Sequence, residues 1–116
     1  MKFLWVSLVA VSFLVPNASD AAGKKIQTLK GFKSAVVNRT LANNDGSLRI
    51  RSNGRVTGTL QGKKLTGAWN WQGKRFCRAL KWGGQDMGST CQTVVINGKN
   101  ISFVRPNGRA TSYVIK

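Results

Sequence analysis

Leu65-Thr-Gly-Ala-Trp-Asn-Trp71, Gln72-Gly73 and Lys74-Arg-Phe-Cys-Arg-Ala-Leu-Lys-Trp82, followed by a polar segment to Cys91, form the stretch that decides the fold. Leu65, Gly67, Trp69 and Trp71 alternate with Thr66, Ala68 and Asn70, which is the period of two of a β-strand. Gln72-Gly73 reads as a two-residue hairpin turn, since glycine takes positive φ without a Cβ clash. Such a turn sets Trp71 opposite Lys74, Trp69 opposite Phe76, Gly67 opposite Arg78 and Leu65 opposite Leu80. Opposed residues share a face. Leu65, Trp69, Phe76 and Leu80 are therefore expected in one apolar patch, with Cys77 pointing away beside Ala68. Arg78 is expected across from a glycine and diagonal to Trp69, where stacking over an indole is worth roughly 0.5–2 kcal/mol.

Cys77 and Cys91 are the chain's two cysteines. They are expected to form a disulfide if the chain is exported, closing a loop over Gly83 to Thr90. In the chain-entropy model a loop of about 15 residues contributes about 3 kcal/mol, a large share of a small domain's net stability.

The N-terminus carries an export pattern. Met1-Lys2 is a short basic start, Phe3 to Val15 is apolar except for Ser7 and Ser12, and Pro16 ends the run. Residues 17–23 are small and polar, and Ser19-Asp20-Ala21 suits cleavage after Ala21, with Ala21-Ala22-Gly23 as the second choice. Residues 1–21 are thus expected to be a signal peptide, 22–44 a basic lead-in and 45–116 a β domain. The expected compartment is the periplasm or the exterior, where a disulfide persists.

Charge is the most unusual property. The sequence has 19 Lys+Arg against 3 Asp+Glu, no histidine, and a formal net charge of +16. Loss of Lys2 and Asp20 with the leader leaves that charge unchanged. Without histidine there is no base for a Ser-His-Asp or Cys-His arrangement. Asp45 and Asp86 are the acids of the mature chain, and each sits in a glycine-rich turn rather than in a glycosidase pair. A zinc site would have to consume the cysteines, and no G-x-G-x-x-G occurs between a strand and a helix. No catalytic residue, metal or cofactor is expected.

From Asp45 onward, X-Gly pairs recur at Asp45-Gly46, Asn53-Gly54, Gln61-Gly62, Gln72-Gly73, Asn97-Gly98 and Asn107-Gly108, between runs rich in Val, Ile, Thr and aromatics. This predicts an all-β antiparallel meander of about seven strands, over 47–52, 55–61, 64–71, 74–82, 91–96, 99–105 and 109–115. Its twist should curl it into a small barrel or half-barrel. The inner face would hold Leu65, Trp69, Phe76, Leu80, Val94, Ile101 and Phe103. Asn97-Gly98 places Val94 opposite Ile101 and Ile96 opposite Lys99. The first and last hairpins do not close cleanly on two-residue turns: Leu48 and Ile50 would meet Thr59 and Thr57, and Ser102 would meet Tyr113. A bulge near Pro106 would repair the last one. One short helix near 32–38 is expected, then a strand from about Arg39.

The segment Gly67-Ala-Trp-Asn-Trp-Gln-Gly-Lys-Arg-Phe-Cys-Arg78, with Cys91-Gln92 and Phe103 downstream, resembles small exported all-β proteins of proteobacteria. These have uncharacterised function and share a Gly-x-Trp-x-Trp-x-x-Gly-x-x-Cys-Arg…Cys-Gln pattern. Some carry the label dihydrodipicolinate reductase, an activity that needs a dinucleotide-binding α/β fold and its glycine motif. The resemblance implies a fold and a compartment, and no functional residue.

Arg49, Arg51, Arg75, Arg78 and Lys81 are the candidate anion-binding residues, with Arg49/Arg51 and Arg75/Lys81 in phase on strands. Trp71 and Trp82 are the candidate aromatic contacts for a sugar ring or headgroup interface. Three readings compete. One is a non-catalytic, monomeric envelope module that binds lipopolysaccharide, acidic glycan or anionic lipid. Another is a structural or inhibitory envelope protein, and a third is a binder of single-stranded nucleic acid.

Overall fold

The computed structural model describes residues 23–116. The leader expected over residues 1–21 lies outside these described residues. The elements are β1 (Lys24–Ile26), α1 (Leu29–Val36), β2 (Thr40–Asn43), β3 (Gly46–Ile50), β4 (Arg55–Leu60), β5 (Lys63–Gln72), β6 (Arg75–Trp82), β7 (Gln85–Asn97), β8 (Asn100–Val104) and β9 (Ala110–Ile115). Residues 24–43, read from sequence as a lead-in, supply β1, α1 and β2.

Each strand from β2 to β9 pairs antiparallel with the next, and β9 returns to β2 through Ile115 opposite Leu41 and Val114 opposite Ala42. The result is a closed eight-stranded barrel. Closure satisfies backbone groups that an open sheet would leave at two edges. β7 is long enough to serve three neighbours. Phe76 of β6 pairs with its Gln92, while its second half pairs with β8 and also with β1, which takes up the edge beyond the end of β6.

The alternation read from the sequence sets the inside of the barrel. Leu65, Trp69, Phe76, Val94, Ile101 and Phe103 are buried, and Leu80 is half-buried against them. Leu41, Leu48, Ile50, Val56, Tyr113 and Ile115 complete the lining. Two inward positions are glycines because there is no room for more. A Cβ at Gly58 would meet the Ser47 carbonyl and the Leu48 backbone, and one at Gly67 would meet the Ala79 carbonyl. At both, the backbone of the neighbouring strand passes too close to admit a side chain.

The hairpin registers differ from expectation by a single turn position. Gln72 pairs with Arg75 and Trp71 with Phe76, so the turn residues are Gly73-Lys74. Likewise Asn97 pairs with Asn100, and the turn is Gly98-Lys99. Gly73 and Gly98 have φ of 63° and 62°, whereas the lysines that follow do not adopt positive φ. A positive φ at the first turn residue alone is the II′ geometry, with glycine leading, rather than X-Gly in I′. Gln61-Gly62, with φ of 51° and 76°, does follow the X-Gly reading. The correction moves each partner by two and leaves every side chain on its predicted face. Arg78 accordingly lies across from Trp69, and Gly67 across from Leu80.

The first and last hairpins use three-residue loops. Arg51 N–H donates to the Arg55 carbonyl and Arg105 N–H to that of Arg109, at 2.8 Å each. The extra residue puts Ile50 opposite Val56 and Ile101 opposite Tyr113, which resolves both registers.

The segment 83–90 is strand rather than loop. Trp82 pairs with Gln85 across a Gly83-Gly84 turn, and β7 carries one extra residue between the partners of Lys81 and Ala79. Cys77 and Cys91 are directly opposed and disulfide-bonded, with Sγ–Sγ 2.04 Å. The bridge therefore staples two adjacent strands of a hairpin instead of the ends of a loose loop.

α1 begins three residues before the expected helix. Its N-cap is Thr28, whose Oγ1 accepts from Gly31 N–H at 3.0 Å. It ends as Val37 turns extended and Asn38 takes φ of 65°. Asn38 then anchors the exit: its N–H donates to the Ile50 carbonyl, and its side-chain oxygen accepts from Ser52 N–H. The helix buries Phe32 and Val36 completely. Phe32 enters the aromatic lining, with ring centroids 5.5 Å from Trp69, 5.0 Å from Trp71 and 5.2 Å from Phe76.

Phe32→Ala is expected to cost about 3–5 kcal/mol, as for other large-to-small changes at buried aromatics. The check is the urea unfolding midpoint. A loss below about 1 kcal/mol would mean that α1 does not hold the barrel.

Candidate anion-binding surfaces

Outward side chains on β2–β6 build the first surface. Thr40, Arg49, Thr57, Thr66 and Lys81 oppose one another in succession across five strands, forming one row. The Arg49 Nε donates to Thr40 Oγ1 at 3.1 Å, and the Arg51 Nε to Thr57 Oγ1 at 2.8 Å. The threonine hydroxyls thus orient the two guanidinium groups and leave the terminal nitrogens without a protein partner among the described residues. Next to this row, Arg55 opposes Ala68, which opposes Ala79. The short side chains leave a shallow groove over Thr66, Ala68 and Ala79, walled by Arg55, Lys81 and Asp86.

Arg75 does not join this group. It closes the β5–β6 hairpin opposite Gln72. It stands six residues from Lys81 along β6, roughly 20 Å at strand rise. Arg55 belongs to the cluster although sequence reading passed it over; its phase with Arg49 and Arg51 becomes visible only once the three-residue loop is known.

Of the two acids among the described residues, Asp86 adds one carboxylate to this face: it lies across from Lys81, lines the groove, and accepts from Gly88 N–H at 2.8 Å. The Asp45 carboxylate accepts from the Gln61 side chain at 3.4 Å.

The tryptophans are placed otherwise than expected. Trp71 is half-buried on the inward face against Phe32, and its Nε1 donates to the Gly73 carbonyl at 2.9 Å. Trp82 is half-buried too, donates to the Leu60 carbonyl at 2.9 Å, and carries Lys63 Nζ over its ring at 4.5 Å. Both are tied into the barrel and neither is a free stacking platform.

Arg78 is set apart from the other candidates. It points inward, with Trp69 opposite on β5 and Thr90 opposite on β7. It lines a cavity of about 70 Å³ with Gln92, Tyr113 and apolar residues including Ile50, Leu80 and Phe103. A second cleft at the barrel surface is lined by Arg78, Arg105, Ser89, Thr90 and Asn107. Arg78 thus stands between the interior and that cleft. Among the described residues its guanidinium donates to no acceptor and forms no ion pair. Burial first, then the charge of Arg105, lowers its pKa, with Tyr113 acting the other way. Burial also raises the Tyr113 phenol above its ordinary range; Arg78 opposes this and Asp45 adds to it.

These two shifts set measurable expectations. Folded protein holds the Tyr113 proton more tightly than unfolded chain. The contribution is therefore full below pH 10.0 and falls as pH rises above it. The stability difference between wild type and Tyr113→Phe should be flat to about pH 10 and shrink beyond it in alkaline denaturation series. Arg78→Met removes an uncompensated cation and is expected to keep or raise the thermal midpoint. A clear fall would show that the cation is a structural support.

No protein-family model matches this chain, and neither does any curated protein or solved structure.

Proposed function

We propose that this protein is an exported, non-catalytic barrel that binds anionic polymers of the cell envelope: lipopolysaccharide, acidic glycan or anionic lipid. The observation that carries this reading is the row of Arg49 and Lys81 with Arg51 and Arg55 beside it. It forms one threonine-lined outer face without ion pairing among the described residues. A net charge of +16 supplies the long-range attraction that brings such polymers in.

Export is supported by the apolar N-terminal run and by a disulfide, which persists in oxidising compartments. Among the described residues no helix is long and apolar enough to cross a membrane. The polar outer face and apolar interior also reverse the pattern of a membrane-spanning barrel. The non-catalytic reading rests on composition, chiefly the absence of histidine and the engagement of both acids in turns.

The inward or tethered tryptophans favour charged polymers over single-stranded nucleic acid. Nucleic-acid grooves combine cations with open aromatic faces on which bases stack, and Trp71 and Trp82 are not open.

Retention on immobilised lipopolysaccharide, acidic glycan and single-stranded DNA, measured against salt, tests the proposal. Wild type is expected to bind the first two tightly at low salt, with log affinity falling linearly in log salt. The Arg49→Ala, Arg51→Ala, Arg55→Ala, Lys81→Ala quadruple variant should show a clearly shallower slope on lipopolysaccharide and acidic glycan, since with each lost cation–anion contact fewer counterions are released. An unchanged slope would remove the outer face as the site. Absence of salt-dependent binding to all three would favour a structural or inhibitory role.

A further inference from the structure

The barrel holds a cation that the outer face does not explain. Arg78 sits inside, on the one strand pair that also carries the disulfide. A half-buried guanidinium loses hydration, and proteins ordinarily recover that loss with a carboxylate or several acceptors. Neither is provided here among the described residues. Arg105 increases the imbalance, since two guanidinium groups line the same cleft.

The surroundings of Arg78 are equally specific. Gln92 is 5% exposed and Tyr113 is 8% exposed. The Gln92 amide and the Tyr113 hydroxyl make no hydrogen bond within the described protein, yet no side-chain polar atom is both sealed from solvent and unpartnered. Both groups therefore meet the cavity they line rather than dry protein. Around them Leu48, Ile50, Val56 and Phe103 form an apolar wall. An unpaired cation, an amide, a phenol and the Thr111 hydroxyl on a mainly apolar lining match an acid with a hydrocarbon part.

Size narrows the ligand. A water needs roughly 10–15 Å³ of such space, and drug-sized ligands fill about 300–1,000 Å³. A cavity of about 70 Å³ takes a short tail of a few carbons and excludes a long acyl chain. We infer that Arg78, with Gln92 and Tyr113 inside the barrel and Arg105 at the surface cleft, forms a binding site for a small organic carboxylate carrying a short apolar tail. The carboxylate accepts from the Arg78 guanidinium, Arg105 attracts it at the surface, and the tail displaces water from between Ile50, Leu80 and Phe103. The site is separate from the outer face, so one can fail without the other.

The test is a two-dimensional NMR titration of the full mature chain with butanoate and hexanoate, beside hexanol and sulfate. Saturable shifts of the Arg78 Nε–H and Gln92 side-chain resonances are expected with the two acids and not with hexanol. Arg78→Gln should weaken acid binding about tenfold or more, as loss of a charge-assisted hydrogen bond requires. Near-UV circular dichroism establishes that the variant is folded. Arg105→Gln, at an exposed position, provides a second measure and should weaken binding by a smaller factor. The outer-face quadruple variant should bind the acids as wild type does. Absence of saturation by either acid would overturn the inference. So would undiminished binding in folded Arg78→Gln, or sulfate binding as tight as hexanoate, which would reduce the site to a bare anion contact.

Discussion

Phe32 is the residue on which the barrel's organisation depends. It comes from the one helix of the described chain and ends between Trp69, Trp71 and Phe76, fully buried. The aromatic contacts continue through Phe76 to Phe103 at 5.2 Å and from Phe103 to Tyr113 at 6.0 Å. One side chain thereby joins the N-terminal segment to strands on distant parts of the ring. Burial of a phenylalanine is worth about 1.5–3 kcal/mol, and tilted aromatic pairs add to it. Phe76 is shared: one side meets Phe32, and the ring also borders the cavity with Arg78.

That arrangement sorts the cations into two kinds. Those on outward positions are solvated and free to meet a large anionic surface, with Arg49 and Arg51 oriented by threonine hydroxyls. Arg78 is held by covalent geometry alone, between Phe76 and Leu80 on a strand whose alternate residues line the core. A charge kept there without a partner opposes folding, and proteins retain such features where a site requires them. The two proposals follow from this division, a polymer outside and a small acid inside.

Much of the barrel is legible in the sequence. Alternation at Leu65–Trp71 and Phe76–Leu80 gave the correct faces, because a shift of the hairpin partner by two preserves the side of every residue. The pairing itself differs, since the glycine of Gln72-Gly73 leads its turn instead of ending it. The segment 83–90 reads as a polar loop in sequence because nearly all its side chains are exposed; hydrogen-bonded ladders, rather than apolar alternation, make Gln85–Thr90 strand. β2 starts at Thr40, beside the strand expected from about Arg39, although only Leu41 of its four residues is buried.

Local chemistry, as written in the sequence, determined the β class, the disulfide, the inward set from Leu65 to Phe103 and the excess of positive charge. These depend on side-chain period, glycine placement and residue counts, all of which act between near neighbours. Only the folded ring decided that Arg49, Arg51, Arg55 and Lys81 lie outside together, that Arg78 shares a cavity with Gln92 and Tyr113, and that Phe32 enters the core. The physical reason is closure: which cations share a surface depends on loop lengths and on strand order around the barrel, and those are settled by contacts far apart in the chain.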